Sequence, residues 1–382
     1  MVHHRFNTTF KFVHPPVGFD KNTEKAFLQY CLGATLYMPG TRSVANKILS
    51  EEVLDYTSMV MCCEDAIDDS ELSKAELNIL NHLETLDTAV KEGRISIGDI
   101  PLTFVRVRNV DQFKHFVERL NANHNHILSG FVFPKFTSYN GAEYLSVLYH
   151  INQTHGAKLY AMPLLEGRDI AYKETREKEL LSVKQLLSTF QDLILNIRIG
   201  GTDLSSLFAV RRGINYSIYD ILTVKDSLTD ILNYFGRAQD DYVVSGPVWE
   251  YFLADAHDSL DHIIEKNIHQ SLLNRHDIIN EAVDGLLREV ILDKANGFVG
   301  KTIIHPSHAR FVNAMQAVTK EEYDDAEQIL NTSGGVIKSR NDNKMNEINP
   351  HRSWALKVHY RAKAYGVVED GMAYIKLIQG TK

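Results

Sequence analysis

Eight short apolar runs, separated by longer stretches of helical periodicity, predict an α/β chain folded as a closed (β/α)8 barrel with a helical extension at its C-terminus. Two further observations point the same way. Polar residues gather directly after the apolar runs, where the functional mouth of a parallel barrel lies. The rival architecture, an open doubly wound sheet, should carry a glycine-rich first βα turn, and no G-x-G-x-x-G occurs.

The runs expected as strands are 34–38, 58–63, 102–108, 130–133, 158–162, 193–199, 242–245 and 300–304. Between them, residues 73–91, 110–121, 142–153, 174–189 and 219–234 show the apolar spacing of amphipathic helices. Residues 255–295 are long enough for two more. After the last strand come His305-Pro306 and a helix to about 318. A further helix over 320–331 places Glu321 and Glu322 in its first turn, where the helix dipole favours acids. Thr332-Ser-Gly-Gly335 breaks that pattern, residues 336–350 are polar and expected to be mobile, and helical spacing returns over 353–365. The chain thus divides into an N-terminal extension (1–33), a barrel (34–318) and a helical lid or oligomerisation arm (319–382). The arm-like tail makes a homo-oligomer the expectation.

Composition narrows the function. Of 382 residues, 44% are hydrophobic and 24% charged, as in a soluble globular protein with a full core. A net charge of −8 argues against a nucleic-acid partner. The three cysteines, two of them adjacent, form neither a disulfide framework nor a zinc spacing, which points to a reducing, cytoplasmic setting. The opening residues lack the apolar core of a signal peptide, and no run approaches the ~18 apolar residues of a membrane span. No membrane partner is expected.

The strand ends carry the chemistry. Glu166 follows one apolar run and Asp203 the next. Carboxylates stepping off successive barrel strands would converge and hold a hard cation such as Mg²⁺, leaving coordination positions for a substrate. Taken alone, Asp203 would read as a helix N-cap, and Glu166 with Arg168 as a surface ion pair. The other strand ends supply Gly40 and Arg42, Glu64 and Asp65, Arg106 and Arg108, Lys135, Gly201 and Thr202, and His305. If the third strand runs on, Arg106 and Arg108 project to the same side. A guanidinium aimed into the mouth would hold a substrate carboxylate through two parallel bonds, although one of the pair could instead salt-bridge Glu64 or Asp65 at the rim. Lys135 is a second cation for a carboxylate, or a partner for the same acids. Gly297-Phe-Val-Gly-Lys-Thr302 is not a phosphate-binding loop: Ala295 stands where the pattern needs glycine, and the segment runs into a strand. Cys62 and Cys63, at the end of an apolar run, read as core residues.

Seven motifs, in order, resemble the citrate lyase β-subunit-like proteins of the HpcH/HpaI aldolase superfamily of TIM barrels. They are Leu36-Tyr-Met-Pro-Gly-Thr-Arg42, Glu64-Asp-Ala-Ile67, Val105-Arg-Val107, Val132-Phe-Pro-Lys135, Leu164-Leu-Glu166, Gly200-Gly-Thr-Asp203 and Gly297-Phe-Val-Gly-Lys-Thr-Ile-Ile-His-Pro306. The likeness runs from about Leu36 to Leu330. The tail Met345-Asn-Glu-Ile-Asn-Pro-His-Arg-Ser-Trp354 is similar to the carbon–carbon-bond lyase branch found with tellurium-resistance gene clusters. The resemblance implies a Mg²⁺-dependent carbon–carbon lyase or aldolase acting next to a 2-keto acid, with Glu166 and Asp203 on the metal and Arg106 on the substrate carboxylate. It also places Gly40, Glu64 and Asp65 in the active-site wall. The chain departs from the family pattern where Cys62 replaces an Asp, Cys63 a Leu, and Arg108 an Asn. The extra charge of Arg108 would suit a more anionic substrate than citryl or malyl thioesters, such as a phosphorylated aldol adduct, and argues against coenzyme A. Glu64, Asp65, His305 and a residue of the tail all stand open as the general base. Phosphoenolpyruvate-type or carboxylation chemistry would use the same metal ligands, and a barrel without turnover would serve as a binding subunit.

Overall fold

The computed structural model describes residues 1–50, 54–252, 279–339 and 343–379. Seven parallel strands form one sheet: β1 (Ala34–Pro39), β2 (Ser58–Cys62), β3 (Leu102–Arg106), β4 (Leu128–Phe133), β5 (Tyr160–Leu165), β6 (Arg198–Ile199) and β7 (Lys301–Ile303). Their order is β6-β5-β4-β3-β2-β1-β7. The expected seventh run closes the ring without forming a regular strand: Val244 bridges Ile197 beside β6, and Gly246 bridges Lys301 of β7. Backbone bonds continue on both sides, from Ser245 N–H to the Ile197 carbonyl (3.0 Å) and from Val299 N–H to the Val244 carbonyl (2.9 Å). The expected barrel is what the chain forms.

The strands are largely buried because both faces are covered, as parallel sheets require. β2 and β4 are buried at every position. Helices cover the outside through one apolar stripe each. Leu72–Lys91 buries Ala75, Ile79, Leu83 and Leu86 at three- and four-residue spacing. Asn109 caps Val110–Val117 by accepting from Gln112 N–H, and Thr137 with Asn140 forms a capping box on Ser138–His155. An aromatic cluster fixes these two helices to β4: Phe113 stands edge-on to Phe131 and Phe133 at 4.9 and 5.0 Å, and Tyr144 stacks on Phe133 at 4.3 Å.

β6 is shorter than the expected 193–199. Residues 191–193 form a 3₁₀ turn, and the Asn196 side-chain amide donates to the Val243 carbonyl at 3.0 Å, beside the backbone bond from Ile197 N–H to the same oxygen at 2.9 Å. β3 stops at Arg106, two residues early, because Asn109 is committed to the cap of the next helix. Lys301 of the rejected phosphate-loop motif is wholly buried. Its ammonium binds Glu289 (2.8 Å) and Asp293 (2.7 Å), tying helix Glu281–Ala295 to β7. Of the 255–295 stretch expected to hold two helices, residues 253–278 lie outside the described residues.

The C-terminal tail packs against its own barrel. Helices Lys320–Leu330 and Ile348–Tyr365 pack on each other around Ala326, Ile329, Ile348, Ala355 and Val358. Val367–Val368 pairs with Val318–Thr319, and Val367 also bridges His14 of the N-terminal segment. The Tyr365 hydroxyl donates to the Tyr30 carbonyl at 2.8 Å, just ahead of β1, so the extension docks at the end of the barrel away from the mouth. The stretch expected to be mobile contains a hairpin, Val336–Lys338 with Met345–Glu347, stitched to the helices by Lys344 and Asp325 at 2.6 Å. No described helix is long and apolar enough to cross a membrane.

Candidate active site

A cavity of about 410 Å³ opens at the C-terminal ends of the strands. Parallel register sets those ends level: Cys62 pairs with Arg106, Arg106 with Val132, Val132 with Met162, and Leu165 with Ile199. The next residue or two of each strand therefore reaches the same mouth. Tyr37, Cys62, Asp65, Arg106, Glu166, Gly200, Gly201, Thr202 and Asp203 all contribute to the wall.

Glu166 is 2% exposed, one step beyond β5. Burial pushes its carboxyl up to about 7, opposed by the nearby Arg106 charge and reinforced by Asp203. Lys135 turns the backbone toward it: with φ of 46°, a left-handed conformation costly for lysine, its N–H donates to Glu166 Oε1 at 3.0 Å. Gly200 makes room on the other side. A Cβ there would fall 2.0 Å from Glu166 Oε2, so only glycine lets the β6 end approach this carboxylate. Asp203 lies in the first turn of helix Gly201–Ser206, whose N-cap is Gly200, and makes no side-chain capping bond. The N-cap reading of Asp203 does not hold; its carboxylate is left for the cavity.

Across the mouth, Arg106 joins the two acids after β2: its Nη2 pairs with Glu64 and Asp65. Lys135 Nζ pairs with Glu64 and lies 3.7 Å from Asp65. Glu64 is buried, whereas the Asp65 side chain is 56% exposed and lines the cavity. Gly40 closes this side. Its N–H donates to the Cys62 carbonyl, and a Cβ would press on that same carbonyl at 2.9 Å. Burial pushes the thiol of Cys62 up, and that of Cys63 to about 12, in keeping with core cysteines.

Two expected residues sit elsewhere, and a third reaches the wall with its hydroxyl already engaged. Arg108 lies past the end of β3 and does not share the side of Arg106. Its guanidinium holds the 63–69 loop by donating to the Cys63 (3.0 Å) and Ile67 (3.2 Å) carbonyls and by pairing with Asp69. His305 stacks on Phe252 at 4.8 Å and bonds Ser307 Oγ at 2.7 Å, outside the cavity wall. Thr202 reaches the wall, but its hydroxyl donates to Glu250 at 2.8 Å.

Sequence reasoning missed Arg198. It is wholly buried inside the barrel, and its guanidinium contacts the Thr35 and Thr302 hydroxyls (3.1 and 2.6 Å) and the Tyr37 ring (5.7 Å). It makes no ion pair among the described residues, so an uncompensated cation sits beneath the cavity floor. The available signal was an arginine inside an apolar run at the strand carrying Asp203.

A parallel barrel whose mouth gathers Glu166, Asp203 and a clamped arginine around one cavity has the form of an enzyme active site. The chain belongs to the C–C bond lyase family of the TIM-barrel fold, whose model matches residues 26–367. It is therefore a carbon–carbon lyase, in line with the motif resemblance. No curated protein matches the chain. Among solved structures it is similar to CitE from Mycobacterium tuberculosis in complex with magnesium, acetoacetate and coenzyme A, at 16% identity and a TM-score of 0.50, covering 87% of this chain and 99% of that one. It is also similar to Haloferax volcanii malate synthase in a lead(II) complex, at 12% identity and a TM-score of 0.50, covering 75% and 73%. At these identities the likeness is one of fold.

Proposed function

We propose that the chain is a Mg²⁺-dependent lyase of the aldolase type, cleaving or forming a carbon–carbon bond next to a 2-keto acid. The observation that carries this reading is the meeting of Glu166 and Asp203 in one cavity with Arg106 on its wall. The donor set suits the ion. Among the described residues no group of three or more His, Cys, Asp or Glu forms a full protein shell. Mg²⁺ is commonly held by one or two carboxylates, with water and substrate completing the octahedron. Glu166, buried and crowded by Asp203, makes no ion pair among the described residues, since the nearby Arg106 is paired with Glu64 and Asp65. Glu166 and Asp203 would hold the ion, which supplies a Lewis acid for the substrate carbonyl. The magnesium and acetoacetate of the CitE complex are in keeping with this assignment.

The chain's own residues do the rest. Arg106 takes the keto acid's carboxylate and fixes its orientation, held in place by Glu64 and Asp65. Glu64, buried between Arg106 and Lys135, is a positioning residue. Asp65 lines the cavity, which supports it as the group that would carry the proton that bond cleavage or formation requires. Lys135 keeps Glu166 turned inward through its N–H and steadies Glu64 through its ammonium. With Arg108 engaged by the loop, nothing favours a phosphorylated substrate over a plain keto acid.

The reading is tested by screening oxaloacetate, pyruvate and their aldol and thioester adducts with the wild-type chain, with Mg²⁺ and with EDTA. Mg²⁺-dependent cleavage of at least one adduct is expected. Turnover that survives chelation, or none across the panel, overturns it.

A further inference from the structure

A second cavity, of about 580 Å³, lies between the barrel and the C-terminal extension. Phe298 and Val299, which lead into β7, form one wall, whereas Ile304, which leaves β7, lines the mouth. The two cavities are thus at opposite ends of the barrel. The other wall comes from helices Lys320–Leu330 and Ile348–Tyr365.

Its charges do not balance. Among the lining residues, Lys294, Lys357 and Arg361 face one carboxylate, Glu322, an excess of two positive charges when Lys294 is protonated. Arg361 is 8% exposed and makes no ion pair among the described residues. Its Nε has no hydrogen-bond partner, and its one contact is a stretched 3.5 Å approach to the Gln316 carbonyl. Lys294 Nζ has the Ala317 carbonyl at 2.9 Å and the Tyr374 hydroxyl at 3.3 Å, with Glu322 no closer than 3.7 Å. Glu322 is itself engaged in capping its helix, accepting from Thr319 N–H at 3.2 Å. Three cations that share one carboxylate leave part of their desolvation unrepaid, and an anion entering the cavity would repay it.

We propose that this cavity binds a phosphate-bearing small molecule. A phosphate group carries about −1.5 to −2 near neutral pH, which matches the excess. Arg361 offers its planar fork to two oxygens, while Lys294 and Lys357 act as point charges. The volume is that of a metabolite site, and Trp354, 40% exposed at the rim, offers a flat face to the organic part. Burial, then the Arg361 charge, holds the Lys294 ammonium down at about 7, so a bound dianion draws a proton onto it above that pH. The proposal stands apart from the lyase reading, since the site shares no residue with the mouth.

The full chain contains two tryptophans, and Trp249 is 1% exposed, so quenching reports chiefly on Trp354. Inorganic phosphate and adenosine 5′-monophosphate are titrated against chloride at matched ionic strength, by fluorescence and by calorimetry in buffers of differing ionisation enthalpy at pH 8. The expected result is saturable binding with proton uptake, weakened at least ~10-fold in Arg361→Gln and in the less buried Lys357→Gln, as loss of a charge-assisted contact implies. An equal response to chloride means an adventitious ion only. That result, no saturable response to either phosphate, or wild-type affinity in Lys357→Gln overturns the proposal, and the Lys357 variant decides even if Arg361→Gln fails to fold.

Discussion

Replacing Glu166 with Gln should stabilise the metal-free protein while abolishing its metal site, and the two effects should separate with pH. The Glu166 carboxyl ionises at about 7 in the folded chain, against an ordinary value near 4.5, chiefly because burial disfavours the charge. A carboxyl whose folded pKa is raised contributes stability fully present below the unfolded pKa and lost as pH rises through the folded one. Ionising it in place therefore costs the folded state about 2.5 pKa intervals, or ~3 kcal/mol, by pH 8. Glutamine keeps the acceptor for the Lys135 N–H and carries no charge. At roughly 2.1 cal/mol/K per residue, a chain of 382 residues has an unfolding entropy of ~0.8 kcal/mol/K, so the gain is ~4 °C in Tm. The assay is thermal unfolding of both proteins in EDTA at pH 4 and pH 8. Nearly equal melting temperatures at pH 4 and a more stable variant at pH 8 are expected. Adding Mg²⁺ at pH 8 should raise the Tm of the wild type alone. A variant less stable than wild type at pH 8, or a difference that ignores pH, refutes the placement of a buried carboxylate at the mouth whose desolvation outweighs the nearby Arg106 charge.

Arg106→Lys keeps the charge but loses the fork, and should lower kcat/KM by ~100-fold or more in the assay that detects turnover. Gly200→Ala places a methyl 2.0 Å from Glu166 Oε2, so Mg²⁺ affinity measured by calorimetry should fall at least ~10-fold, with a loss of ~1–3 kcal/mol in stability from overpacking. Arg108→Asn releases the 63–69 loop, so urea unfolding should show ~1–3 kcal/mol of lost stability. The preference between phosphorylated and unphosphorylated adducts should not move; a shift would return Arg108 to the substrate. Burial holds the imidazole of His82 down at about 4, against 6.5, so this residue's stability contribution is present above 6.5 and drains away as pH falls toward 4. His82→Leu should therefore flatten the acid limb of a pH–stability curve.

Much of this architecture was legible because most of the barrel strands share a signature: short, mostly apolar, and followed by polar residues at the functional end. Reading failed where one backbone group served two purposes. Period-two alternation put Arg108 beside Arg106, but it assumed a strand that Asn109 had already ended by capping the next helix. The pattern Asn-Val-Asp-Gln at 109–112 was the available warning. The seventh run was found by its apolar residues, yet it makes isolated bridges and no regular strand, and the side chains of Asn196 and Ser245 bond alongside its backbone. The tail could not be placed from its own pattern, because what fixes it lies more than 300 residues away: Tyr365 reaches the Tyr30 carbonyl, and its own carbonyl meets His4 Nε2 at 3.1 Å. Glu166 and Asp203 were legible as a pair, whereas Arg198 was hidden by its apolar neighbours, whose spacing gives no hint that a barrel interior would hold a lone cation.

The central claim is that the mouth activates a 2-keto acid at the carbon next to its carbonyl, with the help of a cation held by Glu166 and Asp203. Solvent-deuterium exchange into the methyl group of pyruvate, followed by NMR, reads that step without knowledge of the natural substrate. Exchange above background in Mg²⁺, absent in EDTA and absent in Glu166→Gln and Asp203→Asn, is the predicted result. Exchange that persists in EDTA or in both variants would contradict the account.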